Sequence, residues 1–82
     1  MRKSLQQLIT DEHFAVIELE ARGEMVEFHA AKVLKCDPSD PLFDFVREEY
    51  EKSIEKRDEA MTELEAVRKE LKQYLVDIVK NY

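Results

Sequence analysis

Four carboxylates at helical spacing are the residues of this sequence that best suit metal chemistry. Glu24 and Glu27 stand three positions apart in the first half of the chain, and Glu55 and Asp58 stand three positions apart in the second half. Residues three apart share one face of a helix. If the two helices face each other, the four carboxylates could bind Mg²⁺, which prefers oxygen ligands, and the ion could hold a triphosphate.

The spacing of these carboxylates resembles that of the all-α nucleoside triphosphate pyrophosphohydrolases, which pair an E-x-x-E helix with an E-x-x-D helix. The resemblance covers these four residues and implies a Mg²⁺-dependent hydrolase as an alternative function. The chain holds 19 acidic residues among 82, so the same spacing recurs elsewhere, as at Glu48 and Glu51. We therefore favour a solvated acidic surface for Glu24, Glu27, Glu55 and Asp58, with no metal and no cofactor.

The remaining residues of catalytic type are scattered. His13, His29 and the single Cys36 do not form the paired histidines of a zinc protease. Neither histidine lies three positions after a glutamate, as the di-iron bundles require. The chain has one glycine, so it lacks a glycine-rich phosphate loop and a glycine-flanked nucleophilic serine. The sequence thus predicts a protein that is not an enzyme.

The element boundaries are set by the segment Asp37-Pro38-Ser39-Asp40-Pro41. Each proline disfavours helical geometry in the residue before it, and Asp40 followed by Pro41 is typical of a helix start. We predict an all-α, antiparallel two-helix hairpin: a helix over about 4–35, an Asp-Pro hinge at 36–41, and a long helix over about 41–81. Residues 1–82 form a single domain.

The first helix carries two apolar faces. One face alternates steps of three and four, as in a coiled coil: Leu5, Ile9, Glu12, Val16, Leu19, Gly23, Val26, Ala30 and Val33. A second set lies on a different face: Phe14, Ile17, Ala21, Met25 and Phe28. Two alternatives stay open here. Residues 17–20 and 26–29 alternate apolar and charged side chains on either side of Arg22-Gly23, so the stretch 14–29 also fits a β-hairpin. Thr10 also resembles a helix start, which would make residues 3–9 a separate short turn.

The second helix has an apolar seam of helical period: Phe43, Val46, Tyr50, Ile54, Met61, Leu64, Leu71, Leu75, Ile78 and Tyr82. The stripe is narrow in the middle and broad near the end, which predicts more neighbouring helices there. Its charge is ordered as well. Residues 37–65 hold eleven acidic and four basic side chains, net −7, whereas residues 66–82 hold two acidic and four basic ones, net +2.

The composition excludes or disfavours several classes of protein. One cysteine excludes an intramolecular disulfide, and no run reaches the roughly 20 apolar residues of a membrane span. The Met-Arg-Lys start is followed by a segment too polar for a signal peptide. A formal net charge of −6 disfavours direct nucleic-acid binding. We expect a soluble, cytoplasmic protein that does not bind membranes.

A hairpin this small has a single internal interface, and chains of this size seldom fold on one small core without staples, metals or oligomerisation. We therefore predict a homodimer that completes a four-helix bundle, and a non-enzymatic protein–protein interaction function as an adaptor, assembly chaperone or regulator. Another protein is a further expected partner. The association surface is predicted at Val16, Leu19, Val26, Leu64, Leu71, Leu75 and Ile78. A second alternative function is an acidic mimic of nucleic acid that blocks a basic groove.

Overall fold

A computed structural model describes residues 3–81, which form two α-helices: α1 (Leu5–Lys35) and α2 (Phe43–Lys80). The described residues contain no strand. The chain turns back on itself between the helices, so the prediction of an all-α hairpin is confirmed. The β-hairpin alternative for residues 14–29 is wrong, because the helix-forming Ala, Glu, Met and Leu of this stretch continue one helix through Gly23.

The start of α1 is capped by Ser4, whose hydroxyl accepts a hydrogen bond of 3.2 Å from the backbone N–H of Gln7. A separate helix start at Thr10 is therefore wrong. The Thr10 side chain lies within the helix and donates to the carbonyl of Gln6 at 2.9 Å. The helix ends at Cys36, where the backbone becomes extended before Asp37-Pro38.

The connection between the helices is closed by two aspartates. Asp37 Oδ1 accepts from the backbone N–H of Ser39 at 2.9 Å and from its hydroxyl at 2.8 Å. Asp40 Oδ1 accepts from the N–H of Leu42 at 2.8 Å, and its carbonyl accepts from Phe43 at 3.0 Å. Helix α2 thus begins at Phe43, two residues after the predicted start at Pro41, because the turn capped by Asp40 precedes it.

The contact line between the helices, here called the seam, follows a regular heptad. On α1 its residues are Leu5, Leu8, Glu12, Ala15, Leu19, Arg22, Val26, His29 and Val33, and on α2 they are Phe43, Val46, Tyr50, Ser53, Arg57, Ala60, Leu64, Val67, Leu71 and Tyr74. All of them are buried or half-buried. Alternating steps of three and four are typical of a two-stranded coiled coil.

On each helix, the face that forms the seam is rotated about the helix axis by part of a turn from the predicted face. On α1 it contains Leu8, which is 2% exposed, where the sequence pattern predicted Ile9, which is 52% exposed. On α2, Ser53 and Ala60 are buried in the seam, where the sequence pattern predicted the neighbouring residues Ile54 and Met61. The α2 seam also differs at its end: predicted Leu75 and Ile78 are exposed, and Tyr82 lies outside the described residues.

The seam buries little apolar surface. Within residues 3–81, five apolar residues are buried: Leu8, Ala15, Val26, Ala60 and Leu64. The molecule measures 65 × 18 × 14 Å, with a radius of gyration of 18.5 Å. A compact chain of this length would have a radius of about 12 Å. The elongated shape leaves most of each helix surface facing outward.

Candidate functional site

Many large apolar side chains lie on the outside of the hairpin. Thirteen of them are exposed within residues 3–81: Ile9, Phe14, Ile17, Met25, Phe28, Leu34, Leu42, Phe45, Met61, Leu75, Val76, Ile78 and Val79. Singly exposed apolar residues are ordinary, but contiguous patches of them mark interaction surfaces. Two such patches are present, one on each helix.

The first patch, which we name the α1 outer face, consists of Phe14, Ile17, Ala21, Met25 and Phe28. The exposed fractions are 63% for Phe14, 47% for Ile17, 45% for Met25 and 52% for Phe28, and Ala21 is also exposed. At 3.6 residues per turn, the five positions lie within an arc of about 80° and extend about 21 Å along the helix. They lie on the side of α1 turned away from α2.

Charged residues border the α1 outer face. The Lys32 ammonium lies over the Phe28 ring, 4.4 Å from its centroid. At the other end, Asp11 pairs with Lys3 at 2.8 Å. The Arg22 guanidinium lies 3.7 Å from Glu18. The face is therefore an apolar strip with an acidic residue near its N-terminal end and a basic residue at its C-terminal end.

The second patch, which we name the C-terminal patch, consists of Leu75, Val76 and Val79 near the end of α2. These three residues line an apolar groove whose two ends carry Lys72 and Lys80. Helix α2 is seven residues longer than α1, so its end has few α1 residues to pack against. This is the end of α2 that the sequence pattern predicted to have additional helical neighbours.

The seven residues predicted as the association surface have two different locations. Val26 and Leu64 are buried in the seam, Leu19 and Leu71 are half-buried members of it, and Val16 is half-buried beside it. Leu75 and Ile78 are exposed on α2, at 46% and 37%. Five of the seven thus contribute to the hairpin's own packing, and two lie on its outer surface.

The four carboxylates of the alternative metal site are all exposed. Glu55 and Asp58 line an open groove on α2 together with Glu59, Thr62 and Glu63, and no α1 residue contributes to it. Within residues 3–81, no group of three or more His, Cys, Asp or Glu side chains is placed to hold a metal ion. The structure does not bring Glu24 and Glu27 together with the other pair.

The cysteine at the end of α1 is not an activated thiol. Desolvation, and after it the carboxylates of Asp40 and Asp37, raise the pKa of the Cys36 thiol above its usual value. A raised pKa lowers the fraction of thiolate, which is the nucleophilic and metal-binding form. Cys36 therefore fits a packing role where the seam meets the connection between the helices.

Polar groups interrupt the seam near its middle. Among the described residues, His29 Nδ1 and Arg57 Nε are buried and have no hydrogen-bond partner. Beside them, Arg22, His29, Lys52 and Lys56 line a small pocket between the helices. Its basic side chains are partly neutralised, since Arg22 pairs with Glu18 and Lys52 with Glu49, each at 3.7 Å. The polar middle of the seam weakens the hairpin's own packing.

The acidic stretch over residues 37–65 is partly neutralised as well. Arg47 lies 3.7 Å from Asp44 and 3.9 Å from Glu51, and Arg57 lies 3.5 Å from Asp58. A mimic of nucleic acid presents regularly spaced, unpaired negative charge. The ion pairs along α2 reduce that field, so the geometry favours the apolar patches as the functional surface.

Comparison with known protein families, curated protein sequences and solved structures gives no match to this chain. Neither helix, over the residues described, combines the length and the apolar character needed to cross a membrane. The candidate site is therefore defined by its geometry: two apolar surfaces on a coiled-coil hairpin.

Proposed function

We propose that this protein is a non-enzymatic protein–protein interaction module that acts by self-association and by packing against a partner helix. One observation carries the proposal: thirteen large apolar side chains are exposed within residues 3–81, against five apolar residues that are buried. Burying apolar surface stabilises by about 25 cal/mol per Å². Covering these side chains is the largest source of stabilisation that the hairpin leaves unused.

A second copy of the chain is the first occupant that we propose. A second hairpin packed against the first can bury apolar surface that a single hairpin leaves exposed. The resulting assembly is a homodimeric four-helix arrangement. The Asp-Pro connection at residues 36–41 would act in it as the hinge that sets the angle between the two helices of each copy.

The C-terminal patch is the surface that we assign to a different protein. Lys72 and Lys80 stand at the ends of its groove, and the net charge of residues 66–82 is +2. A complementary partner is an amphipathic helix with apolar side chains flanked by acidic ones. This arrangement suits a small adaptor, assembly chaperone or regulator in the cytoplasm.

Self-association is tested by light scattering coupled to size-exclusion chromatography over a wide range of chain concentration. We expect a mass near twice 9.7 kDa that declines on dilution. A matched control is Leu34→Ser, since Leu34 is 86% exposed and lies outside both patches. The control should retain the wild-type mass. A compact species of 9.7 kDa at every concentration would exclude the proposed self-association.

The partner surface is tested with Val79→Glu. Val79 is 73% exposed and lines the apolar groove, so the variant places a carboxylate in the C-terminal patch. We expect the variant to keep the wild-type mass and to lose the proteins captured by the tagged wild-type chain. Capture that is unchanged by Val79→Glu would show that the C-terminal patch is not the partner surface.

A further inference from the structure

The α1 outer face has the same spacing when its residues are counted in either direction. Taking Ala21 as the centre, Ile17 and Met25 lie four residues away on either side, and Phe14 and Phe28 lie seven residues away. The side chains match as well, because aromatic rings stand at both ends and long aliphatic chains stand at both intermediate positions. The face is approximately self-complementary about Ala21.

This symmetry has a direct meaning for association. In a twofold contact, residue i of one copy meets residue j of the other, and j meets i in return. A helix face placed against a second, antiparallel copy of itself satisfies this relation when its spacing is symmetric about one position. A contact with an unrelated protein imposes no such symmetry on the sequence.

We propose that α1 packs antiparallel against α1 of a second copy, with the twofold axis passing beside Ala21. This inference rests on the proposed self-association and specifies its surface. Phe14 of each copy lies against Phe28 of the second copy, and Ile17 lies against Met25. Helix α2 is then on the outside of each copy, with its C-terminal patch uncovered.

Residue size supports the position of the axis. Ala21 is the smallest member of the α1 outer face and stands at its centre, where the two helix axes would be closest. A small side chain there lets the backbones approach, and the larger side chains on either side interdigitate. The Phe14–Phe28 contacts at both ends would place two aromatic pairs in the interface.

Charge supports the antiparallel orientation. Asp11 lies ten residues before Ala21, and Lys32 lies eleven residues after it. Both lie along the same edge of the α1 outer face, so Asp11 of one copy meets Lys32 of the second copy. The twofold symmetry gives two such ion pairs. In a parallel pair, Asp11 would lie level with Asp11 of the second copy and Lys32 level with Lys32, so these opposite charges would not meet.

Disulfide trapping at the axis tests the proposal. Cys36 is first replaced by serine, so that Ala21→Cys supplies the sole thiol. Residues beside a twofold axis face their own copies, so mild oxidation should convert most of this variant into a covalent dimer. The matched control, Leu34→Cys in the same background, carries an exposed thiol outside the face and should remain mostly uncrosslinked.

The direction of the helices is tested with two more cysteine variants in the Cys36→Ser background. Phe14→Cys and Phe28→Cys should crosslink to each other when mixed, and each should crosslink poorly by itself. Efficient crosslinking of Phe14→Cys to itself would indicate a parallel pair and would overturn the proposal.

A charge variant measures the same contact without covalent trapping. Ala21→Glu places two carboxylates beside each other at the axis and should weaken dimerisation at least about tenfold. Helix content should be retained, because Ala21 is exposed and Glu is a good helix former.

Self-association and the surface that mediates it can be excluded separately. A wild-type chain that is monomeric at every concentration would exclude self-association itself. A wild-type dimer that persists in Ala21→Glu, with no crosslink at Ala21→Cys, would retain self-association and exclude the α1 outer face as its surface.

Discussion

The inner and outer sides of α1 differ in the residues that they carry. The seam side includes Glu12, Ala15, Arg22 and His29 among its positions, and two residues of α1 that it buries are Leu8 and Val26. The outer side carries two phenylalanines, an isoleucine and a methionine, all at least 45% exposed. Both phenylalanines of this helix thus lie on the side that the hairpin leaves uncovered.

This difference indicates that the stability of the protein comes partly from packing within the hairpin and partly from association with a second chain. The leucines and valines of the hairpin seam are interrupted by polar residues such as Arg22, His29 and Arg57, so the seam positions the helices but contributes limited apolar burial. The outer side has the larger apolar side chains, and it contributes to stability when a second chain covers it. Changes in the seam should therefore alter the stability of each hairpin, whereas changes on the outer side should alter association of the copies.

The largest effect is expected at the few buried leucines of the seam. Leu64 is 5% exposed, and Leu64→Ala should lower the free energy of unfolding by about 2–5 kcal/mol, through lost apolar burial and the cavity left behind. Urea unfolding followed by circular dichroism at fixed chain concentration measures this loss. Leu34→Ala is the matched control, with a change below about 0.5 kcal/mol. Equal losses at Leu34 and Leu64 would contradict the assignment of the core.

A gain of stability is expected where the seam is polar. Arg57 Nε is buried without a hydrogen-bond partner, so Arg57→Met should raise the free energy of unfolding by about 1 kcal/mol. The matched control is Arg68→Met, which removes an ion pair with Glu12 at 3.3 Å and should cost at most about 1 kcal/mol. Destabilisation by Arg57→Met would show that this arginine supports the seam.

Replacing Gly23 should also stabilise the protein, for a different reason. A methyl group at this position would meet no atom within 4 Å, so close approach of the helices does not explain the glycine. Gly23→Ala should therefore raise the free energy of unfolding by about 0.5–1 kcal/mol, because alanine loses less backbone entropy in a helix. Thermal unfolding measures the gain, and a lower melting temperature would contradict it.

The smallest effect is expected in the connection, at acid pH. Hydrogen bonds from the backbone N–H and then the hydroxyl of Ser39 lower the pKa of Asp37 below 3.8. Since the folded pKa is depressed, the contribution to stability is present above pH 3.8 and is lost as the pH falls through the lowered pKa. In Ser39→Ala, a carboxyl NMR titration should give a pKa for Asp37 closer to 3.8. An unchanged pKa would show that the hydroxyl contributes nothing.

The helical hairpin could be predicted from the sequence because its signals are local. The Asp-Pro segment and the scarcity of glycine indicate where the helices end, and the second apolar set on α1 is visible in the spacing from Phe14 to Phe28. The register of the seam could not be predicted in the same way. Ile9 and Leu8 are neighbours of similar hydrophobicity, and the choice between them depends on which face α2 covers.

The division of apolar residues between inside and outside was also not predictable from one helix at a time. Val26 and Leu64 were predicted on an association surface, and they lie in the seam because the other helix of the same hairpin covers the face that carries them. The symmetry of the α1 outer face is a signal that the sequence does contain. It becomes interpretable once the structure shows that this face is exposed.

The dependence of the melting temperature on chain concentration tests the central claim most directly. If a second copy covers the outer side of α1, unfolding and dissociation are coupled, and a hundredfold increase in concentration should stabilise the dimer by about 2.7 kcal/mol. The melting temperature should then rise steadily with concentration, and Ala21→Glu should remove that rise. A melting temperature that is the same at every concentration of the wild-type chain would contradict the account.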